Sequence, residues 1–295
     1  MLYRSRQGAS GRGSMTRAGT IALTSATMIA FAANSVLCRL ALSETGMDPA
    51  AFTFVRIASG AAMLAAISAV AGRGRAVGGS WRASLALFGY AAAFSFAYVS
   101  LPVGDGALIL FGAVQATMVI DGLVRGERLT PGQWLGLAAA IAGLVALVAP
   151  GVSAPPLLGA MLMTVAGIAW GAYSIIGRSA GDPLAATAGN FLRAVPMALV
   201  LAFAAASSGP LPTLGIGYAI LSGAAASGLG YTIWYAALPG LSAAEAASVQ
   251  LSVPVIAALG GSAFLAEAIS LRLALAAAAV LGGIGLVIAC RRGRP

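Results

Sequence analysis

Ten apolar blocks run along the 295-residue chain, separated by short breaks rich in turn-forming residues. Their approximate limits are 18–40, 50–71, 82–101, 104–123, 132–149, 156–177, 184–206, 215–237, 241–264 and 271–290. Each is about 17–24 residues long, the length that crosses a bilayer as a helix. Asp48-Pro49, Leu101-Pro102, Thr130-Pro131, Pro150-Gly151, Pro155-Pro156, Asp182-Pro183, Gly209-Pro210 and Pro239-Gly240 mark the breaks. None is long enough for a further domain. The blocks are continuous runs of Ala, Leu and Gly, not alternating strands, so the pattern predicts an all-α membrane protein and argues against an outer-membrane barrel.

Composition agrees. The chain is 60% hydrophobic and 8% charged, with a mean hydropathy of +0.94, against roughly a quarter charged in a soluble protein. All 17 basic residues are arginine, and histidine is absent. The lack of histidine excludes a Ser–His dyad, a histidine metal site and a histidine proton relay. The lack of lysine excludes a Gly-Lys-Ser/Thr phosphate loop, and hence an ATP-driven pump of that type. "SGLG" at Ser227–Gly230 has only a superficial likeness to a serine-protease motif. No metal, cofactor or enzymatic activity is expected.

The net charge of +9 would suggest nucleic acid in a soluble protein. Here the placement of the arginines gives a plainer reading, with no nucleic-acid partner. Arg4, Arg6, Arg12 and Arg17 precede the first block. Arg73, Arg75 and Arg82, then Arg125 and Arg128, then Arg178, and finally Arg291, Arg292 and Arg294 fall on the same side, with Arg39 and Arg272 as exceptions. The positive-inside rule therefore places both termini in the cytoplasm of a bacterium, the spans crossing its inner membrane. Residues 1–17 are expected to be a disordered basic tail, with Met15 an alternative start to Met1. The first block is expected to be a retained span. Residues 291–295 form a second cytoplasmic tail. Cys38 and Cys290 fall on opposite sides, which excludes a disulfide between them.

The chain repeats itself. Arg39 and Arg178 each close a block, 139 positions apart. At that shift Phe31 meets Trp170, Asn34 meets Tyr173 and Ser35 meets Ser174. Phe54-Val55-Arg56 returns as Phe191-Leu192-Arg193, and Phe94, Tyr98 and Pro102 return as Tyr231, Tyr235 and Pro239, at a shift of 137. Glu127 returns as Glu267. Each copy, 18–149 and 155–290, holds five spans. An odd number forces the copies to insert in opposite senses, giving a 5+5 inverted repeat, an arrangement that secondary transporters use for alternating access.

"RGERLTPGQWLGLAAAIAGLVAL" (Arg125–Leu147) and "FLAEAISLRLALAAAAVLGGIGLVI" (Phe264–Ile288) resemble the segment that closes each half of EamA-type proteins of the drug/metabolite transporter superfamily. "QLSVPV" (Gln250–Val255) resembles that family's proline-containing penultimate helix; the first half departs, with Met118-Val119 in its place. The resemblance implies ten spans and export of small metabolites across the cytoplasmic membrane. Overall likeness, without a diagnostic motif, extends to the aromatic amino-acid exporter branch.

Transporter sites lie near the midplane at the repeat interface. Polar and aromatic residues deep in the spans are the candidates for substrate binding: Asn34, Tyr90, Phe94, Tyr98, Gln115, Trp170, Tyr173, Trp234, Tyr235, Ser248, Gln250 and Ser252, with Ser174 and Tyr231 beside them. Tyr90, Phe94 and Tyr98 share one helix face. The reading is a cavity walled by aromatic faces, with amide and hydroxyl groups for a zwitterion. Against it stands the reading that the rings fill core gaps or belt the interface.

Arg56 and Arg193 are each read two ways: as snorkelling interfacial anchors held by a loop acid or carbonyls, or as gate latches on opposite sides. Asp105, Glu44 and Glu267 are the partners open to Arg56; Asp121 and Glu245 are those open to Arg193. Glu127 and Glu267 read as local ion pairs. Glu245 is the best-placed acid for proton coupling, and facilitation by the substrate gradient is the alternative. The fifth and tenth spans read as scaffold, their glycines able to face another copy, so monomer and homodimer both stand. A channel would be expected to show a charged ring or filter, and none is seen. A scaffold subunit, or a carrier for drugs or nucleotide-linked metabolites, remains the alternative function.

Overall fold

The computed structural model describes residues 16–71, 78–151, 154–178, 181–205, 211–241 and 243–291. Residues 1–15 of the N-terminal tail, Arg73 and Arg75, the Gly209-Pro210 break and residues 292–295 lie outside them, while Thr16 caps and Arg17 begins the first helix. Ten long helical segments are described: α1 (Arg17–Glu44), α2 (Pro49–Val70), α3 (Trp81–Ala97), α4 (Val103–Val124), α5 (Pro131–Val148), α6 (Leu157–Gly177), α7 (Pro183–Ala204), α8 (Thr213–Gly240), α9 (Ala243–Gln250 and Ser252–Leu265) and α10 (Leu271–Arg291). They match the ten blocks. Nine are long and apolar enough to cross a membrane; α3, at 17 residues, is the short one. Ile29, Leu85, Ile120, Leu135, Val165 and Val200 are among the large apolar side chains left on the exterior. A lipid-facing surface needs such a coat.

Local chemistry sets the helix starts. Asp48 accepts hydrogen bonds from Ala50 and Ala51 N–H, both at 2.9 Å, with Pro49 at the first helical position. Asp182 does the same for Leu184 and Ala185 ahead of Pro183. An Asp cap followed by proline is a strong start signal, and it opens the second helix of each repeat. Thr130 and Gln133 form a reciprocal capping box at α5. In α8 the helix widens to π geometry over Leu221–Leu229 before returning to α.

The repeats are inverted. α5 and α10 are counterparts, and they run antiparallel. Arg272, at the start of α10, donates to Leu147 O and Ala149 O at the end of α5, at 3.3 and 2.6 Å. At the other end a methyl on Gly132 would lie 2.6 Å from Cys290 Sγ. Between these points a methyl on Gly136 would sit 2.5 Å from Gly283 O, and one on Gly143 2.9 Å from Ala279 Cβ. The glycine face is therefore used inside the chain.

The halves are not two side-by-side bundles. α6 packs along α3 and α4, and its counterpart α1 packs along α8 and α9. Each repeat thus lends its first helix to the other. α2 lies against α8 and α7 lies against α3, with α2 and α7 meeting across the middle. The result is two interleaved groups, α3-α4-α6-α7 and α8-α9-α1-α2. A seam runs between these groups, not between the sequence halves.

Candidate functional site

Aromatic rings from both groups meet at the seam. Tyr90 (α3) lies 4.8 Å from Trp170 (α6) and 5.4 Å from Phe94, centroid to centroid. Trp170 stacks on Tyr173 at 5.2 Å and, across the seam, on Tyr231 of α8 at 5.4 Å. Phe31 of α1 closes on Tyr231 and Trp234 at 5.6 and 6.3 Å, and Phe191 of α7 reaches Tyr231 at 6.1 Å. Tyr98 is fully buried and edge-on to Phe94. In this conformation the rings pack on one another. Two cavities lie elsewhere. One of about 290 Å³ is lined by Ser100, Asp105, Glu267 and Ser270, and an apolar one of about 320 Å³ lies between α4, α5 and α6.

A polar chain crosses the same region. Ser222, on the π-helical stretch of α8, donates to Asn34 Oδ1. Asn34 Nδ2 donates to Tyr90 OH at 3.2 Å, and Arg56 Nη2 donates to the same hydroxyl at 2.9 Å. Four helices, α8, α1, α3 and α2, are tied by four side chains. The glycine after Ser222 makes this approach close: a Cβ on Gly223 would collide with Arg56 O and Ser59 Oγ.

Arg56 is 2% exposed. Its guanidinium lies 5.1 Å from the Tyr90 ring centre and 4.8 Å from that of Phe94. Among the described residues its buried Nη1 has no hydrogen-bond partner. Among the described residues Arg56 makes no ion pair. The sequence placed this arginine at an interface or against an acid; it lies instead at the buried seam, against rings. A guanidinium at mid-membrane costs roughly 2.5–3.5 kcal/mol on insertion scales. One charge-assisted hydrogen bond gives back about 1.5–3 kcal/mol, and desolvated ring contacts about 2 kcal/mol. The balance tolerates Arg56 but leaves one donor unmet.

Arg193 sits differently. Its Nη1 donates to Gly78 O at 2.6 Å, while neighbouring Asn190 accepts Ser80 N–H at 2.9 Å. Both bonds hold α7 to the segment entering α3, within one group.

One end of the seam is tied across the groups. Arg39 (α1) donates to Tyr98 O at 2.9 Å and Val99 O at 2.8 Å, the C-terminal carbonyls of α3, and its Nε lies 3.3 Å from Glu267 Oε1. Glu267 Oε2 accepts Val103 N–H, at the start of α4, at 2.6 Å. Cation at a helix C terminus and carboxylate at an N terminus are the favourable pairings with the helix dipole. At the other end the counterpart arginine, Arg178, is exposed and pairs with Asp121 of its own group at 3.5 Å. Asp105 near the tied end is 8% exposed, while Glu245 and Ser248 near the opposite end are exposed. α4 packs along the Ser252–Leu265 part of α9; among the described residues the Ala243–Gln250 part lies against α10 and α1 instead.

The other sequence candidates divide. Asn34, Tyr90, Phe94, Tyr98, Trp170, Tyr173 and Trp234 gather at the seam. Tyr235 OH lies 2.9 Å from Thr187 Oγ1, which also accepts from Tyr173 OH at 3.4 Å. Gln250 Nε2 donates back to Ala246 O, and Ser252 Oγ to Val249 O, so both bond their own helix. Gln115 is partly buried and makes no side-chain hydrogen bond among the described residues. Ser248 and Glu245 stand at the exposed end of α9. Sequence reasoning missed Ser222, Phe31 and Phe191 as seam residues, and Arg39 and Glu267 as a joined tie. The repeat itself was the available signal, since Phe31 and Phe191 are partners of Trp170 and Phe54.

Comparison with known proteins follows this geometry. The EamA-like transporter family matches residues 18–149 and again 157–289. An uncharacterized protein of Pseudomonas aeruginosa is 54% identical over 276 residues, covering 93% of this chain and 96% of its own length. A crystal structure of a protein 21% identical to this one, with a TM-score of 0.66, covers 92% of this chain and 98% of that one, a likeness of fold.

Proposed function

The chain belongs to the EamA-like transporter family, and on that premise we propose that it is a secondary transporter exporting small metabolites, most directly amino acids and aromatic ones among them, across the bacterial cytoplasmic membrane by alternating access. The observation that carries this reading is the unequal seam. Rings from both helix groups share its centre, Arg39 and Glu267 tie one end across the groups, and at the opposite end Arg178, the counterpart of Arg39, pairs with Asp121 of its own group. Inverted repeats can exchange such an asymmetry, so that the tied end opens when the opposite end closes. Aromatic faces suit an apolar or aromatic body without demanding one shape.

The orientation is part of the proposal. Arg17, Arg82, Arg125, Arg128 and Arg178 lie at the end opposite the Arg39–Glu267 tie, which the positive-inside rule assigns to the cytoplasm. The two arginines at the other end, Arg39 and Arg272, are both bound to C-terminal carbonyls of helices. They are fixed by structure and carry little weight as topology signals.

The test is counterflow. Purified protein in vesicles loaded with unlabelled L-phenylalanine, L-leucine or L-threonine should take up the labelled amino acid with saturation and mutual competition. No saturable uptake of any of the three would overturn the amino-acid reading and favour another substrate class or a scaffold.

A further inference from the structure

Resting on the transport reading above, we propose that Arg56 is the counter-charge for a carboxylate on the transported molecule, so that the substrate class is small organic acids, amino acids included, with an apolar or aromatic body. Arg56 is a buried cation short of one partner. Nη2 is held by Tyr90, but Nη1 is enclosed and unbonded. Among the described residues no carboxylate forms an ion pair with Arg56. Glu267 is committed to Arg39 and Val103, Asp121 to Arg125 and Arg178, and Asp48 to the cap of α2 itself.

The position does not require an unmet donor for structural reasons. Its repeat counterpart, Arg193, donates to a backbone carbonyl at 2.6 Å. The same residue type is therefore satisfied in one repeat and left with a vacant donor in the other, at the seam. A guanidinium offers parallel N–H groups that suit a carboxylate. The rings of Tyr90 and Phe94 against its face keep it oriented, and Trp170 beside Tyr90 supplies apolar wall for the rest of the molecule.

The test uses matched probes that differ only in charge: L-phenylalanine against L-phenylalaninamide, and 3-phenylpropionate against 3-phenylpropionamide. Full-length protein in vesicles is assayed for competition with labelled L-phenylalanine. In wild type the acid of each pair should compete about 10- to 100-fold better than its amide, the worth of one charge-assisted hydrogen bond. R56Q should bring each pair to within about twofold, and R56K should keep the preference for the acid at lower affinity. Monodisperse elution in detergent checks folding, and R56K decides the matter if R56Q does not fold. Amides competing as well as acids in wild type, R56Q retaining full discrimination, or R56K losing it while still transporting would each overturn the role of Arg56 and leave the transport reading standing. No saturable uptake in wild type would overturn both.

Discussion

Arg39 and Glu267 meet 3.3 Å apart, joining the end of α1 to the corner between α9 and α10. Each also grips the opposite group, Arg39 through the carbonyls of α3 and Glu267 through the N–H of Val103. The pair is a cross-brace over the tied end of the seam.

Breaking the brace should expose what lies beneath it. Cys38, 0% exposed beside Arg39, is a native reporter. In a C290S background, E267Q removes the charge from the tie, and the bonds at stake are worth about 1.5–3 kcal/mol. Labelling of Cys38 by a membrane-impermeant maleimide is expected to accelerate about tenfold or more. Unchanged labelling would mean that Glu267 does not govern this end.

The polar chain Ser222–Asn34–Tyr90 should behave as one unit. N34A leaves the buried Ser222 hydroxyl without its acceptor, at about 1–3 kcal/mol, and leaves the Tyr90 hydroxyl with Arg56 as its remaining donor. A lowered melting temperature in detergent is expected. S222A added to N34A should cost little more than N34A alone, because both remove the same bond. Strict additivity would contradict the shared network.

α5 and α10 touch backbone to backbone at Gly136 and Gly283. G283L should destabilise the protein by about 1–3 kcal/mol, the usual cost of overpacking, read as a fall in melting temperature. The oligomeric state should not change, since this face is occupied within the chain. A change in subunit number without loss of stability would place the glycines at an interface between copies.

Reporters fused to either terminus should both read cytoplasmic, as the arginine distribution requires. A periplasmic C terminus would invert the direction assigned to the tied end.

Much of the fold was legible because a bilayer makes it so. Helical spans and their capped ends follow from one constraint, the satisfaction of backbone groups in lipid, and the inversion follows from the odd number of spans in each copy. The interleaving of the halves was not legible. Which helix packs on which depends on shape, such as Gly223 against Arg56 and Gly136 against Gly283, and many of the 39 glycines look alike in sequence. At the site, the large aromatic residues announced themselves by spacing and by the repeat. Gln250 and Ser252 were harder to read, because an amide or hydroxyl in a span can bond its own helix, as both do. Arg56 was conspicuous as a charge in an apolar run, but its partners were not. Cation–ring contacts have no sequence spacing when the rings come from another helix.

Transport by opening and closing the seam is tested most directly by a cross-link with a built-in control. Gly104 of α4 and Ala258 of α9 face each other across the tied end, their Cβ positions 3.0 Å apart, while Gly132 of α5 and Cys290 of α10 stand 3.7 Å apart on the scaffold pair. Both are within reach of a disulfide after at most a small shift. Oxidised G104C/A258C, with C38S and C290S, should stop amino-acid counterflow and regain it on reduction, whereas oxidised G132C with the native Cys290 should carry on. Undiminished counterflow through a fully cross-linked G104C/A258C protein would contradict the account.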